Sequence, residues 1–145
     1  MHSFFFVNHK NFFFNFFKES CDKKKIFMKF KDTYSFDKRR QETQKIKSMY
    51  PDRVPIICER STRCTSSIPN IDKVKYLVPL DLTVGQFLYV IRKRMQLSSS
   101  SSIFLISGRI ILKNTTPLLQ IYEEQQDKDG FLYVEYIGEN VFGAF

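Results

Sequence analysis

Tryptophan is absent, and histidine occurs only twice in the 145 residues. Both histidines, His2 and His9, lie close to the N-terminus. The rest of the chain can therefore build neither a histidine-centred triad nor a histidine metal site. There is no glycine-rich phosphate loop and no H-E-x-x-H, so no motif points to nucleotide or zinc-protease chemistry. The three cysteines, Cys21, Cys58 and Cys64, form no C-x-x-C pair and are odd in number. That usage fits a reducing compartment better than a disulfide framework. Cys58 falls in a strand-like pattern and reads as core rather than nucleophile. Asn114-Thr115-Thr116 matches a glycosylation sequon, but nothing else points to secretion. No apolar run approaches the roughly 20 residues of a spanning helix. The N-terminus also lacks the basic start and small-residue cleavage site of a signal peptide. These absences predict a cytoplasmic protein that is not an enzyme and needs no metal or cofactor.

What is present is basic charge and phenylalanine. Lys plus Arg number 23 against 15 Asp plus Glu, a formal charge of +8. Such a balance suits an acidic partner: nucleic acid, an anionic membrane or acidic peptides. The excess is local, with 12 basic and 6 acidic side chains in residues 28–75, but 1 basic and 6 acidic in residues 117–145. Lys38-Arg39-Arg40 and Arg92-Lys93-Arg94 could contact phosphates. Such clusters are more commonly solvated helix faces, and the acidic C-terminal part gives no extended basic track, so no nucleic-acid partner is expected. Eight of the 16 phenylalanines fall within Met1–Phe17, interrupted by Asn8, His9, Lys10, Asn11 and Asn15. A segment so biased reads as a disordered leader over residues 1–27, with Met28 opening the well-patterned part.

From there the chain reads as one domain. Asp32–Tyr50 has helical periodicity, with Ser35 as a cap and Phe36, Thr43, Ile46 and Tyr50 on a narrow face; Pro51 ends it. Val54–Glu59 reads as a strand with Pro55 near its start or on an edge. Ser61–Ile71 reads as a polar loop, and Val74–Val78 as a second strand on an edge. Adjacent Leu77 and Val78 point to opposite faces, so one of them is expected to be exposed. Thr83 and Gln86 form a predicted capping box ahead of a helix with Val84, Phe87, Leu88, Ile91 and Met95 on its apolar face. Ser98–Ser102 is a loop, Ile103–Ile106 a strand, Ser107-Gly108 a turn and Ile110–Leu112 a short return strand. A short helix is predicted to start with Pro117 at its first position, capped by Thr116. Asp127–Gly130 turns the chain into a last strand, Phe131–Tyr136. The class is α+β.

Ordered along the chain stand Ser35-Phe36-Asp37-Lys38-Arg39-Arg40, Tyr50-Pro51-Asp52-Arg53-Val54-Pro55, Lys75-Tyr76-Leu77-Val78-Pro79 and Asp81-Leu82-Thr83-Val84-Gly85-Gln86-Phe87. Ile91-Arg92-Lys93-Arg94, Asp129-Gly130-Phe131-Leu132-Tyr133 and Val141-Phe142-Gly143 follow. Over residues 28–143 this set resembles the autophagy ubiquitin-like modifiers, the family of the GABA-receptor-associated protein and microtubule light chain three. The resemblance implies a ubiquitin-like β-grasp with two extra N-terminal helices. It also implies a life cycle. A cysteine protease recognises Phe142 and cuts after Gly143, removing the propeptide 144–145. Activating and conjugating enzymes then pass the glycine carboxyl to phosphatidylethanolamine, on an autophagosomal or vacuolar membrane. Glycine suits such a narrow approach because it has no Cβ.

A second implied function is reading aromatic-x-x-aliphatic peptides of cargo receptors, which add as a strand beside Val74–Val78. By resemblance the aromatic pocket maps to Ile46, Pro55, Ile57, Lys75, Leu77 and Phe131. The aliphatic pocket maps to Tyr76, Val78, Pro79, Leu82, Phe87 and Val90, with Arg53 at its rim. Lys73, Lys75 and Arg53 would meet acidic residues before the motif, although Val74 stands where many relatives are basic. Truncating Tyr76 and Leu77 to Ala is then expected to remove peptide binding and leave the domain folded. Microtubules complete the implied partners. The rival reading is a ubiquitin-like adaptor that binds peptides and is never conjugated.

Overall fold

A computed structural model of the chain describes residues 4–7, 28–64 and 68–138. In chain order it has β1 (Phe5–Phe6), α1 (Phe30–Thr33), α2 (Phe36–Met49), β2 (Arg53–Arg60), β3 (Lys75–Pro79), α3 (Val84–Met95), β4 (Ile103–Ser107), β5 (Ile110–Ile111), α4 (Leu118–Gln125) and β6 (Leu132–Gly138). The sheet runs β1-β3-β2-β6-β4-β5. The β2–β3 and β4–β6 pairs are antiparallel, whereas β2–β6 and β1–β3 are parallel.

Local chemistry places α3. The Thr83 side chain accepts from Gln86 N at 3.2 Å and the Gln86 side chain accepts from Thr83 N at 2.9 Å, closing the predicted capping box. Val84, Phe87, Val90 and Ile91 then fall on one buried face. Each side chain buried in this way contributes about 1.5–3 kcal/mol. They pack with Val54, Ile56, Cys58, Tyr76 and Val78 from the adjoining sheet face. Cys58 is fully buried, and that burial pushes its thiol well above the ordinary range, the behaviour of core rather than of a nucleophile.

The helical pattern from Asp32 to Tyr50 is two helices, not one. Tyr34 is extended, and Ser35 takes the N-cap of α2 with its hydroxyl accepting from Lys38 N. The inward stripe of α2 is Arg39, Thr43 and Ile46, while Phe36 is exposed. A charged residue replaces the expected aromatic because Arg39 meets a partner there. Its guanidinium pairs with fully buried Asp129, and Tyr133 Oη donates to the same carboxylate at 2.5 Å. Although burial opposes the charge, bonds to Tyr133 and Asp129 raise the Arg39 pKa above its usual value.

The loop after β2 is less polar in practice than in composition. Cys64, Ile68 and Ile71 are buried in the main core. Tyr136 Oη holds the loop, donating to Pro69 O at 3.1 Å and accepting from Ile71 N at 2.9 Å. Burial pushes the Tyr136 hydroxyl up to about 12, so it remains a donor. Helix α4 begins at Leu118 with Pro117 as its N-cap and no side-chain cap, not with Pro117 inside the first turn. There the backbone supplies the partner, as Leu118 N donates to Leu82 O at 2.8 Å.

Pro55 pairs with Leu77 on β3, whereas pairing to β6 starts only at Ile56. The missing N–H thus falls where β2 has a neighbour on one side only. Gly130 turns the chain into β6 at φ +93°, and a Cβ there would lie 2.6 Å from Thr43 Oγ1. Gly130→Ala is expected to cost about 1–3 kcal/mol, read as a lower urea midpoint.

Candidate functional site: a groove along strand β3

Strand β3 is five residues, Lys-Tyr-Leu-Val-Pro, with alternating direction. Lys75 and Leu77 share a face with their cross-strand partners Ile57 and Pro55. Tyr76 and Val78 share the opposite face with Ile56 and Val54. Both Leu77 and Val78 have 0% exposure, against the expectation that one would be exposed. Both faces of the strand are covered: Tyr76 and Val78 pack in the main core with Val84, Phe87, Val90 and Ile91 of α3, and on the other face Lys75 pairs with Glu42 of α2.

Phe30 of α1 anchors that second face. It forms a buried cluster with Ile57 and Phe131, joined at its margin by Phe4, Tyr34, Val74 and Tyr133. Its backbone N–H donates to Glu59 Oε2 at 2.8 Å. Burial raises the pKa of that carboxyl, and this hydrogen bond opposes the rise. Lys75 extends into the same region, 5.5 Å from the Phe30 ring centre, and is ion-paired to Glu42 of α2.

The outer edge of β3 is not open. Residues 4–7, part of the leader read from composition, lie along it, with Phe5 opposite Tyr76 and Phe6 opposite Leu77 in parallel register. Val7 N donates to Leu77 O at 3.1 Å. Arg53 Nη1 donates to Val7 O at 2.7 Å and to Leu77 O at 3.2 Å, clamping both strands. The Phe4 ring stacks on Phe131 at 6.2 Å, with Lys75 Nζ 5.1 Å from its centre. Phe5 meets Tyr76 edge-on at 5.6 Å, and the Arg94 guanidinium lies 4.3 Å from the Phe5 ring centre. Phe6 is 40% exposed, and Val7 is buried at 5%.

Set against the mapped pockets, Ile57, Lys75 and Phe131 surround Phe4. Leu77 and Pro55 are buried on the same sheet face. Ile46 is buried on α2, outside the cluster around Phe131. Tyr76, Val78, Leu82, Phe87 and Val90 share the main core with Val7. Pro79 ends β3 half-buried, and Lys73 lies before it with its carbonyl accepting from Tyr76 Oη at 2.8 Å. Gly143 and Phe142 fall outside the described residues, as does most of the leader.

The proposed truncation of Tyr76 and Leu77 needs correction. Both are fully buried, and Tyr76 also packs edge-on against Phe87 at 5.3 Å. Removing either side chain costs about 2–5 kcal/mol, so the double variant tests folding rather than binding. Sequence reasoning also missed Phe30, Glu42 and the segment Phe4–Val7. For the last a signal existed, since Phe4-Phe5-Phe6-Val7 is itself aromatic-x-x-aliphatic.

Comparisons with known proteins agree with this geometry. The family model described as "Autophagy protein Atg8 ubiquitin like" matches residues 38–143. An Autophagy-related protein 8 from Mycosarcoma maydis is 53% identical over 114 residues, which is 79% of this chain and 95% of its own length. One from Schizosaccharomyces pombe is 53% identical over 115 residues, covering 79% and 93%. The crystal structure of Trypanosoma brucei ATG8 matches with a TM-score of 0.72 and 42% identity, over 77% of this chain and 95% of that one. The shared architecture is the α+β ubiquitin-like β-grasp with two extra N-terminal helices, here α1 and α2.

Proposed function

The chain belongs to the Atg8 family of ubiquitin-like autophagy proteins, and we propose that it is a modifier joined through Gly143 to phosphatidylethanolamine, reading receptor peptides with the β3 groove. A cysteine protease frees the Gly143 carboxyl. Activation as an adenylate and transfer through thioesters then deliver it to the lipid amine as an amide. The domain supplies no catalytic group; it is the substrate of these enzymes and afterwards a membrane-bound adaptor on autophagosomes.

The observation that carries the peptide reading is the parallel pairing of an aromatic-x-x-aliphatic segment with β3, its Phe against Phe131 and its Val in the main core. Backbone hydrogen bonds set register, and the two side-chain sites set specificity. Lys73, Lys75 and Arg53 make the surroundings cationic, which favours motifs preceded by carboxylates.

A fluorescein-labelled Glu-Glu-Glu-Phe-Glu-Glu-Leu peptide tests this reading by anisotropy. The Lys73→Glu variant is expected to bind about tenfold more weakly, equivalent to ~1.4 kcal/mol, with an unchanged circular dichroism spectrum. Equal affinity would exclude the groove as the reading site.

A further inference from the structure

The edge that would receive a partner's strand already holds one from the same chain. We propose that Phe4–Val7 is a tethered competitor, a built-in mimic that occupies the β3 groove and sets a threshold for incoming peptides. This inference rests on the groove being the peptide-reading site. It adds that this chain regulates the groove in cis, through a segment outside the 38–143 span that matches the family.

The contacts of the segment reproduce each element that a free peptide would need. It pairs in parallel with Tyr76 and Leu77. The first residue of its motif, Phe4, stacks on Phe131 beside Lys75. The fourth, Val7, is buried at 5% with Tyr76, Val78, Leu82 and Phe87. Arg53 holds its last carbonyl at 2.7 Å. A second strand cannot occupy the same edge, since the β3 N–H and C=O groups facing outward are engaged once only. Displacement must therefore precede capture.

What the segment lacks defines which partners win. His2 and Ser3, directly before Phe4, carry no carboxylate. The leader therefore holds by apolar, cation–ring and backbone contacts and brings no acidic flank of its own. A partner with acidic residues before its aromatic adds long-range attraction to this basic surface and displaces the leader, whereas a bare motif competes on equal terms and loses to tethering. A tethered segment works at an effective concentration on the order of millimolar. With a dissociation constant about a tenth of that, it lowers the apparent affinity of a free peptide about tenfold.

The test uses the full chain and the same labelled peptide. Phe4→Ala/Val7→Ala is expected to bind it about tenfold more tightly than the unmodified chain. Equal affinities in both would overturn the competitor while leaving the groove reading intact. Absence of binding in both, with the fold retained by circular dichroism, would remove the groove reading and this inference together. A gain that changes with protein concentration would place the segment on a second copy and overturn the tethered form. Because the chain has no tryptophan, Phe4→Trp supplies an independent readout. Its emission is expected to be blue-shifted and to move to the red on saturation with the unlabelled, tryptophan-free peptide. Emission unmoved by saturating peptide would contradict displacement.

Discussion

Asp129→Ala is expected to destabilise the domain by about 3–5 kcal/mol, the largest loss from any single polar truncation proposed for this chain. The Asp129 side chain is fully buried and serves three groups. One oxygen accepts from Tyr133 Oη at 2.5 Å and pairs with Arg39, and the other accepts from Phe131 N at 2.9 Å. Removing it leaves the Arg39 guanidinium, also largely buried, without its counter-charge. Burial, and the bond to Asp129, push the Tyr133 hydroxyl far above its ordinary value, so it stays a donor at all working pH values. Asp129→Asn retains an acceptor for Phe131 N and is expected to lose less. Urea denaturation followed by far-ultraviolet circular dichroism reads both. The consequence reaches function because Phe131 is the floor on which Phe4 stacks. A destabilised Asp129 turn moves that ring, so weaker peptide binding is expected to accompany the fall in midpoint. A midpoint unchanged in Asp129→Ala would show that the network contributes nothing net.

Gly143→Ala is expected to abolish the lipid-linked form in cells and leave peptide affinity unchanged. A Cβ at the acyl residue obstructs both the protease and the transfer enzymes, whereas glycine offers an open carbonyl. The peptide groove is assembled from α1, α2, β2, β3, α3 and the residue preceding β6, so it does not call on Gly143. Membrane flotation reads the first effect and anisotropy the second. Lipid-linked Gly143→Ala protein would assign the acyl donor elsewhere.

Features specified by neighbouring residues were the legible ones. The Thr83–Gln86 box and the start of α3 depend on three or four consecutive side chains, and both formed as read. Pro55 was placed correctly because its constraint is covalent. Periodicity alone ran Asp32–Tyr50 together, although Ser35 was read as a cap and the resemblance implied two N-terminal helices; the bonds that hold the break are distant, with Arg39 Nε donating to Tyr34 O at 3.1 Å and Glu59 accepting from Phe30 N at 2.8 Å. The Ser61–Ile71 stretch looked polar, yet Ile68 and Ile71 are core because side chains outside the stretch supply the backbone bonds there: Tyr136 accepts from Ile71 N and donates to Pro69 O, and Arg60 Nε donates to Ile68 O at 3.1 Å.

The groove was legible only in part. Alternation correctly set Leu77 and Val78 on opposite faces, and the pockets mapped by resemblance put Lys75 with Leu77 and Tyr76 with Val78, as the register has them. Alternation could not show that both faces are covered, so that neither Leu77 nor Val78 is exposed. Composition made the leader look featureless, since repeated Phe hides a register. The register comes from β3 itself: the Leu77 carbonyl accepts Val7 N, and Arg53 holds the Val7 carbonyl. Lys75 was read as a partner for acidic flanks, but Glu42 of α2 already pairs with it.

Intact mass of the protein isolated from cell membranes tests the modifier account most directly. The account predicts a chain ending at Gly143 and carrying the added mass of one phosphatidylethanolamine. Protein that retains Ala144 and Phe145, carries no lipid and remains out of the membrane fraction would contradict it.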